Sequence, residues 1–182
     1  MPGLRPWLAL LALAIILRMG SRAPWSQVLF GNITTWGPQA SDYIEAKGDQ
    51  FDAMMLVEHH QRGEGLKAMK LTLKRFGFVT VASEANYTDR SAAGTHGGAM
   101  LAFRSHLQLS HVPPELALQA PGLLPSVGYD WAAAEWHLKG LRVCMLAAYC
   151  DCGANTSGPN ASKFMEIASY IKSRGSLVRH GS

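Results

Sequence analysis

The sequence predicts an α/β domain, a mixed sheet with flanking helices, from three observations. Residues 28–57 read as strand, helix, strand. Residues 63–82 read as helix and strand, and a paired-strand pattern over 127–149 is followed by one more helix at 160–173. The composition agrees, since 182 residues fit one domain and 48% hydrophobic with 16% charged residues is the balance of a chain that builds a core. Seventeen Lys and Arg against thirteen Asp and Glu leave +4, which helps an anionic ligand approach but excludes a dense basic nucleic-acid arm. Cys144, Cys150 and Cys152 supply neither a disulfide framework nor a CxxC zinc pattern.

Each element follows from local chemistry. Residues 28–35 (VLFGNITT) are rich in β-formers and stop at Trp36-Gly37-Pro38, where a Gly-Pro step ends a strand. Residues 39–47 form a short helix with Gly48 as its expected C-cap, and the apolar run 51–57 (FDAMMLV) is a buried strand. A right-handed crossover makes the two strands parallel, so Asn32 and Glu58 leave the same edge of one sheet. In 63–75, Leu66, Met69, Lys70 and Leu73 recur at helical spacing; Gly77 ends that helix and 78–82 is a strand. The polar stretch 83–96 reads as a loop closing on Gly94-Thr95-His96-Gly97-Gly98. Gly98 opens a strand over 99–103, and two adjacent glycines imply backbone packed against a close neighbour. Prolines between His111 and Pro125 mark a loop or edge segment. Residues 127–138 and 141–149 pair across Lys139-Gly140 as a hairpin. Leu141, Val143 and Met145 face one way and Cys144, Leu146 and Ala148 the other, the pattern of a central strand covered on both faces. The last helix, 160–173, takes Asn160 or Ser162 as N-cap, carries Phe164, Ile167, Ala168 and Ile171 as its apolar stripe and stops at Gly175.

Residues 1–26 stand apart. Trp7 to Leu17 is a run of eleven apolar residues between Arg5 and Arg18, shorter than the about 20 a spanning helix needs and of the length of a secretory h-region. Two readings stay open. One is a signal peptide or anchor, with membrane contact through residues 7–17 and a secretory or membrane-associated location; the other is an extension of an intracellular chain. Ser21-Arg22-Ala23 has cleavage spacing, but Pro24 follows it. Asn32, Asn86, Asn155 and Asn160 open Asn-x-Ser/Thr triplets, which are glycan acceptors only if the chain is secreted.

An amide oxygen at Asn32 and a carboxylate at Glu58, on neighbouring strand ends, suit a hard cation that takes oxygen ligands and keeps several waters. The plain alternative is a capped strand end with a solvated Glu. His59 and His60 follow Glu58, and adjacent strand residues point opposite ways, so at most one faces the site. His96 sits in the glycine loop, and Arg104, at a strand end, faces either a phosphate or solvent. Cys150-Asp151-Cys152 is an incomplete thiolate site, and Trp131 and Trp136 fall on opposite faces of one strand as packing residues. No Gly-x-Gly-x-x-Gly follows the first strand, which argues against a dinucleotide-binding enzyme.

Four features occur in a telling order: Asn32-Ile33-Thr34 on a first strand, Leu56-Val57-Glu58-His59-His60 after a second, a Gly97-Gly98 strand opening, and a strand ending at Tyr149 before a loop and helix. In this the chain resembles the endonuclease/exonuclease/phosphatase (DNase I-like) superfamily, from about Gln27 to Gly175. The resemblance implies a four-layer α/β sandwich, here incomplete, over residues 27–175 with a tail at 176–182. It implies Mg²⁺ or Mn²⁺ held by Asn32 and Glu58, and Tyr149 as the catalytic residue beside the scissile phosphate. The reaction it implies is hydrolysis of a phosphodiester or phosphomonoester, with nucleic acid or another phosphoester as substrate.

One departure qualifies this. The family's Asp-x-Asn and closing Ser-Asp-His motifs are absent, and His180 lacks the Asp that would orient it. The expectation is a nuclease-like domain with little or no hydrolase activity as this chain alone. The alternative is a non-catalytic remnant or a phosphate- or nucleic-acid-binding interaction module. A missing second sheet would leave one sheet face bare, poised to pair with another chain.

Overall fold

The computed structural model describes residues 27–89, 94–107, 109–110, 127–128, 130–138, 141–151 and 158–177. The apolar segment 7–17, the proline-rich stretch 111–125, the Lys139-Gly140 turn, Cys152, the Asn155 triplet and the tail after 177 lie outside them. The elements are β1 (Val28–Asn32), α1 (Pro38–Lys47), a 3-10 turn (Gly48–Gln50), β2 (Ala53–Val57), α2 (Gly63–Arg75) and β3 (Phe78–Ala82). Then come β4 (Asn86–Tyr87), β5 (Thr95–His96), β6 (Ala99–Arg104), β7 (Leu109–Ser110), β8 (Val127–Gly128), β9 (Trp131–Leu138), β10 (Leu141–Ala148) and α3 (Pro159–Leu177).

The first sheet is mixed, in the order β1-β2-β6-β3. The expected strand–helix–strand unit is present: β1 and β2 are parallel, with Asn32 beside Val57. β6 runs antiparallel to both β2 and β3, with Ala99 opposite Val57, so its N-terminal end meets the C-terminal end of β2. The second sheet runs β10-β9-β7, with β8 also pairing β9.

Strict alternation along these strands builds three cores. Met54, Leu56, Met100, Ala102 and Phe78 pack against Ile44 of α1 and Leu66, Met69 and Leu73 of α2. On the opposite face, Ala53, Val57, Val81, Ala99, Leu101 and Phe103 pack against Ala132 and Ala134 of β9 and Met145 and Ala147 of β10. Trp131, Ala133, Leu146 and Ala148 then face Tyr170 and Ile167 of α3. The face expected to be bare is therefore covered by Ala132 and Ala134 of β9 and Met145 and Ala147 of β10, and it offers no surface for pairing.

Several boundaries differ from expectation for identifiable reasons. β1 stops at Asn32 because Thr34 is left-handed (φ 58°). Gly48 is right-handed (φ −60°) and leads into the 3-10 turn instead of ending α1 with a left-handed cap. The loop expected over 83–96 contains the short hairpin β4–β5. The strand expected over 127–138 is broken at left-handed Asp130 (φ 57°), and β8 folds back onto β9. β10 is an edge strand in this sheet order, although Met145 and Ala147 face one core and Leu146 and Ala148 another.

α3 shows the largest difference. It passes through Gly175 to Leu177, and its buried side is Asn160, Lys163 and Tyr170, with Phe164 (41%) and Ile171 (56%) exposed. Of the expected apolar stripe Ile167 packs against the Trp131 core, while Phe164, Ala168 and Ile171 face out, because Asn160 and Lys163 turn inward to satisfy buried polar partners that no apolar side chain could. Arg104, expected to face a phosphate or solvent, does neither. Its guanidinium donates to the carbonyls of Gly48 (2.7 Å), Phe76 (2.9 Å) and Phe51 (3.2 Å) and lies over the Phe78 ring, binding three chain turns together.

Candidate functional site

The strand directions bring Asn32, Glu58, the Gly97-Gly98 pair and Tyr149 to one edge. Beyond β1, Ile33 N donates to Val57 O (3.1 Å) and Trp36 N to His59 O (2.9 Å), which keeps the Asn32 turn against the end of β2. On the other side, Glu58 N donates to Gly98 O (2.8 Å) and His60 N to Gly97 O (3.1 Å). Glu58 and His60 are both left-handed (φ 60° and 59°). An unbroken strand would send Glu58 to the face opposite Val57; the left-handed turn breaks that alternation. Thr34, Glu58, His60 and Asp130 are the non-glycine residues with positive φ among the described residues, and all four surround this edge. Such conformations persist only where surrounding contacts hold them.

Asn32 is exposed, and its Oδ1 accepts from Thr34 N at 2.9 Å, a local turn bond. The Glu58 side chain is half-buried and pairs with no described side chain. No group of three or more His, Cys, Asp and Glu capable of holding a metal occurs among the described residues. Asn32 and Glu58 are hard oxygen donors, a set that fits a Mg²⁺-like ion keeping most of its waters and does not fit a soft or fully caged metal.

His59 is not a ligand. It is fully buried beneath Gly98, its Nε2–H donates to Ser83 O (3.1 Å) and its Nδ1 accepts from Gln61 N (3.0 Å). Both nitrogens are thereby occupied in one neutral tautomer. Burial depresses its pKa to about 4, against hydrogen bonds to the Ser83 and Ala99 backbone that work the other way. The glycine pair earns its place here: a Cβ on Gly98 would lie 2.5 Å from the His59 ring, and one on Gly97 would strike the Asp130 carboxylate and sit 3.0 Å from the Tyr149 ring.

Beneath this edge lies a charged network that sequence reading missed. Asp130, 1% exposed, accepts from Gly98 N at Oδ1 (2.8 Å) and from Asn86 Nδ2 at Oδ2 (2.6 Å). The Lys163 ammonium reaches Asp130 Oδ2 (3.0 Å), Asp151 Oδ2 (2.9 Å) and Tyr149 O (3.1 Å). Burial disfavours that charge, and the hydrogen bonds and charges of Asp151 and Asp130 outweigh it, holding Lys163 above the usual lysine range. Tyr149 is anchored at its N–H to Asp130 O (2.8 Å), and its ring meets His96 edge-on at 6.5 Å. His96 Nε2 is 3.8 Å from Asp151 Oδ1, and the buried His96 Nδ1 has no hydrogen-bond partner among the described residues. The available signal was an Asp inside an apolar run at 127–138 and a Lys three residues after an Asn at the start of a helix.

Asn86 and Asn160, read as glycan acceptors, have their amides engaged inside. Asn160 is 2% exposed and exchanges two bonds with the Asp151 backbone. Asp151 thus serves Lys163 and Asn160, and neither Cys144 nor Cys150 forms a disulfide among the described residues. Trp131 is a packing residue as expected, with Nε1–H donating to Glu166 (2.9 Å). A separate groove of about 880 Å³ runs between β1 and α1, lined by Leu29, Ile33, Tyr43, Ile44 and Leu56 with Asn32 at its rim; it includes neither Glu58 nor Tyr149.

Fold and site together define a mixed α/β domain with oxygen donors and a tyrosine at one sheet edge. No protein-family model matches the chain, and no curated protein matches it. Among solved structures the chain is similar to the endonuclease domain of TRAS1, a telomere-specific non-LTR retrotransposon, at 16% identity and a TM-score of 0.47. The match covers 79% of this chain and 52% of that one, so the chain spans about half the length of that domain.

Proposed function

We propose that this chain is an endonuclease/exonuclease/phosphatase-like domain of the nuclease type, arranged as a four-layer α/β sandwich, which binds a phosphoester at the Asn32–Glu58–Tyr149 edge. The observation that carries this reading is the convergence of three widely separated segments on one edge, where Glu58 N bonds Gly98 O and Tyr149 packs against Gly97. The left-handed residues around it support the reading, because strain of that kind collects at functional sites. Asn32 and Glu58 are the residues that would hold Mg²⁺ or Mn²⁺. Such an ion, when bound, supplies Lewis-acid stabilisation of phosphoryl oxygens.

The protein's own groups then divide the work. Asn32 and Glu58 provide oxygen donors, Tyr149 offers its phenol beside the phosphate, and Lys163 with Asp130 fixes the backbone of Tyr149 and of the glycine pair. The sequence lacks the Asp-x-Asn and Ser-Asp-His motifs that would orient an attacking water, so the reading is of binding with negligible turnover by this chain alone. The test is incubation of the purified chain with plasmid DNA and Mg²⁺, together with a phosphate-binding titration. Binding without cutting is the expected result. Cutting that Glu58→Ala abolishes would overturn the claim of negligible turnover, and absence of phosphoester binding would overturn the whole reading.

A further inference from the structure

Tyr87 stands at the tip side of the β4–β5 hairpin and is 77% exposed. It serves no core, yet it is not loose. Its backbone pairs with Thr95, and the Arg62 guanidinium carbon lies 4.1 Å from its ring centroid. Arg62 is itself held, by Glu84 at 3.1 Å and by the Ala85 carbonyl. One face of the ring is backed by a fixed cation and the ring as a whole is open to solvent. An aromatic already ordered in this way loses little side-chain entropy when a flat ligand settles on it.

The hairpin is also fastened to the phosphoester edge. Thr95 Oγ1 donates to His60 O (2.9 Å), Ala85 N to Gln61 O (3.1 Å), and Asn86 bonds the buried Asp130. Arg62 follows Glu58 by one short turn, so the cation behind the ring and the proposed phosphate site belong to one loop. We infer that Tyr87, backed by Arg62, is a stacking platform for a nucleobase of single-stranded nucleic acid whose backbone phosphate lies at the Asn32–Glu58–Tyr149 edge; this rests on the phosphoester reading above. A single strand is specified because only an unpaired, unstacked base exposes its face to an aromatic ring.

The test uses two labelled probes of about twelve nucleotides, within the span such grooves cover. One is oligothymidylate and the other an abasic deoxyribose-phosphate oligomer of the same length. Fluorescence anisotropy is read for the native chain, Tyr87→Phe and Tyr87→Ala. The native chain and Tyr87→Phe are expected to prefer oligothymidylate. Tyr87→Ala is expected to lose about 5- to 150-fold on oligothymidylate, the range of one base–aromatic stack, and nothing on the abasic probe. Tyr87 is exposed, so the substitution leaves the cores intact. Equal affinity of the native chain for both probes, or unchanged oligothymidylate binding by Tyr87→Ala, overturns the platform alone. Failure of the native chain to bind either probe overturns the phosphoester reading together with it.

Discussion

Replacing Lys163 with methionine keeps an unbranched apolar stem and removes the ammonium that two carboxylates share. Lys163 lies 3.0 Å from Asp130 and 2.9 Å from Asp151, with its side chain only 7% exposed. The two partners differ in what they lose. Asp151 has 26% of its side chain exposed and rehydrates, so its share is that of a surface pair, about 0–1 kcal/mol. Asp130 is 1% exposed and, among the described residues, keeps the Gly98 N–H and the Asn86 amide. Leaving it charged and unpaired costs about 3–5 kcal/mol, a large part of the stability of an ordinary domain. At about 2–4 °C per kcal/mol this lowers the melting temperature by about 6–20 °C. Urea unfolding followed by tryptophan fluorescence measures it. The second variant, Lys163→Met with Asp130→Asn, removes the uncompensated charge and is expected to recover a good part of the loss. A loss below about 1 kcal/mol in the single variant, or no recovery in the double, would refute the claim that this network fixes the Tyr149 edge.

Gly98→Ala places a methyl 2.5 Å from the buried His59 ring at a backbone φ of 86°. Left-handed strain of about 1–2 kcal/mol and overpacking of about 1–3 kcal/mol add to a loss of about 2–5 kcal/mol, which denaturant unfolding reads directly. For His59 the folded pKa of about 4 lies below its unfolded value of 6.5, so its contribution is complete above pH 6.5 and is lost as pH falls from there towards 4. The gap between these values corresponds to about 3 kcal/mol, and a His59→Gln variant is expected to show a correspondingly flatter stability profile between pH 7 and 4. An unchanged profile would locate the acid sensitivity elsewhere. Arg104→Met frees three carbonyls that the guanidinium now satisfies, and is expected to destabilise the first sheet by about 1–3 kcal/mol without altering phosphoester binding, as titration on the folded variant checks.

What could be read from sequence was what repeats. The run from Leu29 to Val57 and the Leu66–Met69–Leu73 spacing declare their strands and helix because each apolar position reports one buried face. The same logic placed Asn32 and Glu58 on one edge, since parallel strands share their ends. It failed where a polar residue was buried. Lys163 and Asn160 look like the solvent side of α3, while Phe164 and Ile171 look like its core side; the partners that reverse this, Asp130 and Asp151, lie 33 and 12 residues away from Lys163. No local period encodes such a pairing. Asp130 was hidden in the same way, because one left-handed residue between two strands leaves no trace in their alternation. Tyr149 was placed by family resemblance, whereas what orders it, the Asp130 carbonyl and the Lys163 ammonium, came only with the fold.

In the proposed reading Asn32 and Glu58 together form the cation-holding part of the phosphoester site. Mn²⁺ binding to the purified chain, followed by the paramagnetic enhancement of water relaxation, tests it most directly. The expected result is weak saturable binding with several waters retained, competed by Mg²⁺, and lost in both Glu58→Gln and Asn32→Ala while the fold, monitored by circular dichroism, is unchanged. Binding that survives Glu58→Gln, or a native chain that takes up no Mn²⁺ at all, would contradict it.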